Sequence, residues 1–119
     1  MNAHGACFAY LNTNGRIATL FCFTRKDYTE KITLFIVEVG TQNNPLKVQA
    51  EIKLKQQNDY IVAMVPSKKY GCLYAISQQG TLFIYDIQSG ELIFQRQISD
   101  VCKYHTSCSH IIFTNISYI

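Results

Sequence analysis

Four potential metal ligands lie close together near the end of the chain. They are Cys102, His105, Cys108 and His110. Cysteine thiolates and histidine imidazoles bind structural zinc, but such sites usually take their ligands as two close pairs that a longer loop separates. All four residues here crowd into a single segment without that separation. We therefore interpret the segment as a loop between two strands, and we predict neither a metal site nor another cofactor.

Catalytic motifs give no support for an enzyme. The chain has no GxSxG elbow, no glycine-rich phosphate loop followed by Lys and Ser or Thr, and no HExxH sequence. The acidic residues Glu38 and Asp86 occupy equivalent strand ends, where we expect a carboxylate to cap a turn. The sequence predicts a protein that is not an enzyme and has no catalytic residues.

Charge and hydropathy exclude two further classes of partner. The formal net charge is +3, and its basic residues are scattered over turns and strand ends without the dense stripe of a nucleic-acid-binding surface. No apolar run approaches the roughly 18 residues that a membrane-spanning helix needs, and the first ten residues lack the pattern of a secretory signal. We therefore expect a cytoplasmic protein that neither binds nucleic acid nor inserts into a membrane.

Three of the five cysteines, Cys7, Cys22 and Cys72, fall in apolar runs. A free thiol in such a position behaves as a small apolar group, and an odd number of cysteines without regular spacing does not suggest a disulfide framework. We expect these thiols to be buried and reduced.

The elements that position these residues are β-strands, because the chain repeats itself. The segment Thr33–Gly40 (TLFIVEVG) returns as Thr81–Gly90 (TLFIYDIQSG), with an offset of 48 residues between the two threonines. Each copy is an apolar strand that ends in a carboxylate and a glycine-containing turn. A period of this size is typical of propellers and solenoids.

Each copy is the third of four strand-like runs. The runs are Phe8–Leu11, Ile17–Thr24, Thr33–Gly40 and Leu46–Leu54, and then Ile61–Val65, Gly71–Ser77, Thr81–Gly90 and Glu91–Ile98. A four-stranded antiparallel unit of about 50 residues is the sequence pattern of a propeller blade. The predicted fold is therefore all-β: an incomplete β-propeller with one blade over residues 6–56, a second over 58–99 and the divergent start of a third over 100–119.

The incomplete ring has physical consequences. Propellers close with roughly four to eight blades, so we expect this chain to be part of a larger ring. Two blades with uncovered faces expose apolar surface and unpaired strand edges, so the isolated chain is expected to self-associate. Eight apolar side chains are predicted to pack within or between the two sheets: Phe21, Phe23, Leu34, Ile36, Leu73, Ile76, Leu82 and Ile84.

Six short segments, taken in order, resemble the amino-terminal propeller of the clathrin heavy chain. They are His4–Ala9 (HGACFA), Thr19–Phe23 (TLFCF), Ile36–Gly40 (IVEVG), Gln57–Met64 (QNDYIVAM), Ile84–Gly90 (IYDIQSG) and Arg96–Ser99 (RQIS). The family has closely similar segments in the same order and at nearly the same spacing. The resemblance extends over roughly residues 3–99 and fades from residue 100 onward.

This resemblance implies a scaffold in a vesicle coat. Clathrin heavy chains carry a seven-bladed propeller at the tip of a helical leg, and the propeller binds short adaptor-protein peptides in grooves between blades. The chain would correspond to about the fifth and sixth blades and the start of the seventh. Its partners would be adaptor peptides and other clathrin chains, in endocytosis and intracellular protein transport at the cytoplasmic face of coated pits and vesicles.

The resemblance implies no particular adaptor-binding residue. The family's clathrin-box groove lies between the first and second blades, which have no counterpart in this chain. The adaptor-binding residues therefore stay unknown from the sequence.

Two other interpretations remain open. The first is an unrelated propeller-type interaction module of the WD40 kind, although Tyr85 and Asp86 stand where a Trp-Asp pair would be expected and no Gly-His pair opens the units. The second is an enzyme or a metal-binding protein built around residues 102–110. Bound zinc would favour it.

Overall fold

The computed structural model describes residues 5–40, 45–55 and 58–98, and this part of the chain folds into eight β-strands. In chain order they are β1 (Ala6–Thr13), β2 (Arg16–Lys26), β3 (Ile32–Val39), β4 (Leu46–Ile52), β5 (Ile61–Ser67), β6 (Cys72–Ser77), β7 (Thr81–Asp86) and β8 (Leu92–Gln97). The strands form two four-stranded sheets. Sheet A has the order β1-β2-β3-β4, and sheet B has the order β5-β6-β7-β8.

All neighbouring strands within each sheet are antiparallel. The prediction of an all-β chain with two four-stranded antiparallel units is therefore confirmed. The predicted start of a third unit, over residues 100–119, lies outside the described residues. The blade boundaries at residues 6–56 and 58–99 stay a prediction.

Local sequence explains how sheet A begins. Asn14 and Gly15 form a two-residue turn between β1 and β2, with φ angles of 53° and 80°, and Thr13 pairs with Arg16 across it. Two successive positive φ angles match the twist of a β-hairpin, and Asn-Gly is the residue pair that adopts them most readily.

Strand β3 shows which face of sheet A is turned toward sheet B. Along this strand Ile32, Leu34, Ile36 and Glu38 are buried, and the residues between them are only partly buried. Successive side chains of a strand point to opposite faces, so these four share one face. We call this the inner face of sheet A, and the opposite face its outer face.

The core between the sheets joins the inner face of sheet A to one face of sheet B. From sheet A it includes Leu20, Cys22, Leu34 and Ile36. From sheet B it includes Met64, Leu73, Ala75, Phe83 and Tyr85. A second buried cluster belongs to sheet B itself: Val62, Ala63, Tyr74, Ile76, Leu82 and Ile84.

The predicted core positions were correct with two exceptions. Leu34, Ile36, Leu73, Ile76, Leu82 and Ile84 are all buried. Phe21 and Phe23 are only partly buried, because they alternate with Leu20 and Cys22 and therefore point to the outer face of sheet A.

The two sheets stack front to back rather than front to front. By the repeat, Phe83 and Tyr85 of β7 correspond to Phe35 and Val37 of β3. Phe83 and Tyr85 belong to the core between the sheets. Phe35 and Val37, in contrast, lie on the outer face of sheet A. The interface therefore joins two different kinds of face, one from each sheet.

Candidate functional site

The four potential metal ligands near the end of the chain have no described geometry. Cys102, His105, Cys108 and His110 lie outside the described residues. Within residues 5–40, 45–55 and 58–98, no group of three or more His, Cys, Asp or Glu side chains is placed to hold a metal ion. The same ranges contain no helix long and apolar enough to cross a bilayer.

Asp86 caps the turn between β7 and β8. Its Oδ2 accepts hydrogen bonds from the Ser89 backbone N–H at 2.9 Å and from the Ser89 hydroxyl at 2.7 Å. The Asp86 carbonyl accepts a further bond from the Gly90 N–H at 2.8 Å. Since these bonds satisfy turn donors, the carboxylate has the local structural role that the sequence predicted for it.

Glu38 differs from its repeat-equivalent Asp86. Its carboxylate lies on the inner face of sheet A, where its side chain is 6% exposed, and Arg16 donates to Oε2 at 2.9 Å. The Lys47 ammonium lies 3.6 Å from Oε1. The described partners of the Glu38 side chain come from β2 and β4. The turn that it was predicted to cap includes residues 41–44, which lie outside the described residues, so that role stays a prediction.

The electrostatics of Glu38 follow from these partners. The Arg16 guanidinium, which donates a hydrogen bond to the carboxylate, lowers the pKa of Glu38 below its ordinary value, and Lys47 adds to the effect. Burial opposes this shift. A carboxylate held ionised by two cations is typical of a structural ion pair, whereas a general acid needs a raised pKa.

A small cavity of about 220 Å³ opens beside Glu38 between the two sheets. Leu11 and Leu20 line it from sheet A, and Ile87 and Gln88 line it from the turn after β7. Its charged groups are already engaged, since Arg16 and Lys47 are both paired with Glu38. We regard this cavity as part of the packing between the sheets.

A larger cleft of about 630 Å³ lies at the opposite end of β2. Phe23, Thr24, Arg25, Lys26 and Ile32 line it from sheet A, and Tyr60 and Ile61 line it from the start of β5. Its lining comes from both sheets, is largely apolar and includes two basic side chains of sheet A. We call it the β2–β5 cleft.

A neighbouring hollow of about 560 Å³ extends the basic character of this end. It shares Lys26 and Ile32 with the β2–β5 cleft and adds the lysines Lys31, Lys53 and Lys55. Some of this charge is neutralised, because Lys26 lies 2.6 Å from Glu30 and Lys31 lies 3.9 Å from Glu51. Together the two hollows bring five basic side chains to this end of the sheets.

The outer face of sheet A carries a row of aromatic rings. Ring centroids are 5.1 Å apart for Phe8 and Phe21, 5.3 Å for Phe21 and Phe23, and 5.2 Å for Phe23 and Phe35. Phe8 is 56% exposed. Four contacting rings on a surface are a feature of proteins that bury that surface against a partner. We call these four residues the aromatic row.

Sequence reasoning missed both the β2–β5 cleft and the aromatic row. The residues of the cleft come from strands that are distant in sequence, so no sequence motif indicates the cleft. The aromatic row had a signal in the alternation of Phe21 and Phe23 with Leu20 and Cys22. Because all four are apolar, the alternation did not reveal which pair faced sheet B.

Comparison with curated proteins agrees with the six short segments. The chain is 35% identical over 109 residues to clathrin heavy chain 2 of Oryza sativa subsp. japonica. It is 36% identical over 107 residues to clathrin heavy chain 2 of Homo sapiens, and 33% identical over 118 residues to probable clathrin heavy chain 1 of Caenorhabditis elegans. The chain is a relative of the clathrin heavy chains. These matches cover 83%, 83% and 87% of it.

The match concerns a small part of those proteins. The chain spans 6% of the Oryza and human clathrin heavy chains and 7% of the Caenorhabditis protein. No protein-family model matches it. The resemblance predicted from the short segments is thus confirmed for a fragment of a clathrin heavy chain, and this favours the clathrin interpretation over an unrelated WD40-type module.

Proposed function

We propose that this chain supplies two adjacent blades, over residues 6–56 and 58–99, and the start of a third to the amino-terminal propeller of a clathrin heavy chain. They would be about the fifth and sixth blades. The role of the whole protein would be structural and without catalysis, in the clathrin coat of vesicles and pits at the cytoplasmic face of membranes. It would serve endocytosis and intracellular protein transport.

The front-to-back stacking of the two sheets is the observation that carries this proposal. The face that sheet B turns toward sheet A, with Phe83 and Tyr85, corresponds by the repeat to the outer face of sheet A, with Phe35 and Val37. Sheet A therefore presents to its other side the same kind of surface that already packs on a sheet. A series of units that stack in one direction is the arrangement of propeller blades.

The transcript that encodes the chain gives a direct test. Sequencing across both ends of the reading frame should reveal further blades on both sides and a helical leg downstream. A transcript with no further blade on either side would contradict the proposal.

We also infer that the β2–β5 cleft receives an adaptor peptide. An extended peptide can lay apolar side chains against the accessible rings of Phe23 and Tyr60, while its acidic residues approach Arg25 and Lys26. The apolar lining and the basic side chains favour a peptide whose leucines are flanked by aspartates. This inference concerns a cleft within the described residues and needs no other blade.

Peptide binding can be measured by fluorescence anisotropy. The probe is a fluorescein-labelled peptide, Asp-Asp-Leu-Thr-Leu-Thr-Leu-Asp-Asp, titrated with the purified chain. Replacing Arg25 and Lys26 together with alanine should weaken binding about three- to tenfold, because two partly screened charge pairs are lost. The matched control replaces Lys68 and Lys69, a second basic pair that lines none of the hollows described here. Equal weakening by both double variants would point to nonspecific attraction and overturn the inference.

The isolated chain is proposed to self-associate through the aromatic row. In a closed propeller another sheet would cover this face. In the isolated chain a second copy would cover it, because its own apolar surface matches the apolar rings of the aromatic row. Burial of apolar rings stabilises such an association by about 25 cal/mol for each Å² removed from water.

A further inference from the structure

Two cysteine side chains face each other across the first hairpin of sheet A. Cys7 of β1 and Cys22 of β2 are directly paired in the antiparallel register. Both are free thiols, and their side chains are in hydrogen-bonding contact. The sequence alone gave no reason to associate them, since fourteen residues lie between them along the chain.

The geometry of the pair suits a covalent bond. Directly opposed residues in an antiparallel sheet have Cα atoms about 4.5–5.5 Å apart. Disulfides usually join residues whose Cα atoms are about 4.4–6.8 Å apart. The backbone of β1 and β2 therefore already holds the two residues within the range that a disulfide requires.

The two thiols differ in access and acidity. Cys22 is fully buried, with 0% exposure, whereas Cys7 is partly exposed. The hydrogen bond from the Cys22 thiol lowers the pKa of Cys7 below that of an ordinary cysteine. The same contact, together with burial, raises the pKa of Cys22. The thiolate is the nucleophile, so Cys7 is the sulfur that reacts with the oxidant first. Cys22 then attacks the oxidised Cys7 sulfur.

Cys72 provides an internal contrast. Its Sγ lies 3.3 Å from the Tyr70 carbonyl oxygen, to which it donates. Desolvation, with a smaller contribution from the nearby Asp86 carboxylate, raises the pKa of Cys72. This thiol is partly exposed like Cys7, but among the described residues no second thiol acts on it as Cys22 acts on Cys7.

We propose that Cys7 and Cys22 form a redox-sensitive pair that hydrogen peroxide converts into a cross-strand disulfide. The Cys7 thiolate attacks one peroxide oxygen, the O–O bond breaks, and the leaving hydroxide takes up a proton to become water. Cys7 is then a sulfenic acid. The Cys22 sulfur attacks the Cys7 sulfur, the S–O bond breaks, and a second water leaves with the thiol proton. The two thiols together lose two electrons, and hydrogen peroxide is reduced to two waters.

The bond would fasten β1 to the rest of sheet A. It would close a loop over residues 7–22 and so restrict the unfolded chain more than the folded one. We expect a higher melting temperature for the oxidised chain than for the reduced chain, and a return to the original value when dithiothreitol is added.

Peptide mapping tests the proposal without any substitution. The full chain is treated with hydrogen peroxide, free thiols are blocked with N-ethylmaleimide, and the unfolded product is digested with trypsin. Cleavage after Arg16 and Arg25 places Cys7 in the peptide 1–16 and Cys22 in the peptide 17–25. Mass spectrometry should find these two peptides linked, and reduction should separate them.

The proposal requires that the folded chain, and not chance encounter of the two thiols, leads to the Cys7–Cys22 disulfide. The same oxidation in guanidinium chloride should yield several-fold less of the 1–16 to 17–25 product. Equal yields in the folded and unfolded chain would overturn the proposal. A folded chain in which Cys7 links to another cysteine, or in which both thiols stay open to alkylation, would also overturn it.

Two variants separate the roles of the thiols. Cys22→Ser keeps a hydroxyl that can donate to the Cys7 sulfur but cannot form a disulfide, so it should leave a Cys7 sulfenic acid that dimedone traps. Cys72→Ala should form the disulfide as the original chain does. Trapping of sulfenic acid at Cys7 to the same extent in both variants would contradict the assignment of Cys22 as the second sulfur. If Cys22→Ser fails to fold, the mapping of the unsubstituted chain still decides whether the disulfide forms.

Discussion

The backbone of Gly90 lies directly against the side chain of Val48, so that a β-carbon built at Gly90 would stand 2.5 Å from Val48 Cγ1. Gly90 belongs to the turn between β7 and β8, and Val48 is a buried residue of β4. The turn of one sheet therefore approaches the other sheet closely enough to exclude any side chain.

Gly90→Ala is expected to destabilise the chain by about 2–5 kcal/mol, because it adds a steric overlap with Val48 to the strain of a positive φ angle. Gly40→Ala is the matched control: Gly40 has a φ of 84°, and its β-carbon would meet no atom of the residues that the structure describes. The control should cost about 1–2 kcal/mol. Urea unfolding of both variants measures the difference, and equal losses would show that the contact with Val48 contributes nothing.

Glu38→Gln should alter how stability depends on pH. Because Arg16 lowers the pKa of Glu38 in the folded chain, the ion pair stabilises the fold at a pH above the unfolded pKa of about 4.3. This stabilisation is lost as the pH falls from there through the folded pKa. The original chain should therefore melt at a higher temperature than the variant at neutral pH, and this gap should narrow in acid.

Glu51→Gln is the control for this pH series, since it removes an exposed ion pair with Lys31 whose atoms are 3.9 Å apart. Such surface pairs contribute little to stability. Thermal unfolding should show nearly the same melting temperature as the original chain at every pH. A gap between Glu38→Gln and the original chain that stays constant from neutral pH into acid would count against the role of the carboxylate charge.

Phe8→Ser should weaken self-association of the isolated chain by at least about tenfold, because it removes the most exposed ring of the aromatic row. Tyr28→Ser is the control, since Tyr28 is an exposed aromatic residue, 97% exposed, that lies outside the row. Sedimentation velocity over a range of chain concentrations measures both. Unchanged association of Phe8→Ser, or a purely monomeric original chain, would refute the assignment of the interface.

The strands could be predicted from the sequence because their apolar runs are separated by clear turn residues. The repeat between Thr33–Gly40 and Thr81–Gly90 fixed the number of strands in each unit, and the observed strands coincide with the predicted runs except for their ends. Local pattern is sufficient here, since each strand is long enough to show its own period.

The sequence predicted less well which side chains of each strand point toward the other sheet. In β2 the residues on both sides of the sheet are apolar, so Phe21 and Leu20 are equally good candidates for the core between the sheets. Which of these side chains is buried depends on the sheet that packs against the strand, and that sheet comes from another part of the chain. The same limit explains why Phe83 and Tyr85, which pack between the sheets, were absent from the predicted core.

The sequence also did not predict which side chains pair across neighbouring strands. The equivalence of Glu38 and Asp86 suggested one common role, but the bulge in the pairing of β3 with β4 places Lys47 near Glu38. The pairing of Cys7 with Cys22 likewise depends on the register of the hairpin, which the two-residue turn at Asn14 and Gly15 sets.

The front-to-back contact between the sheets has a consequence for how such a protein can arise. Because each unit meets its neighbour with a face that differs from the one it leaves open, a duplicated copy fits onto the open side of the unit before it. Gene duplication alone can therefore add units to the array, because each new unit uses the same front-to-back contact as the units before it. An array of this kind has a direction and no natural end, so its growth stops only when the last unit meets the first or when some other surface covers the exposed terminus.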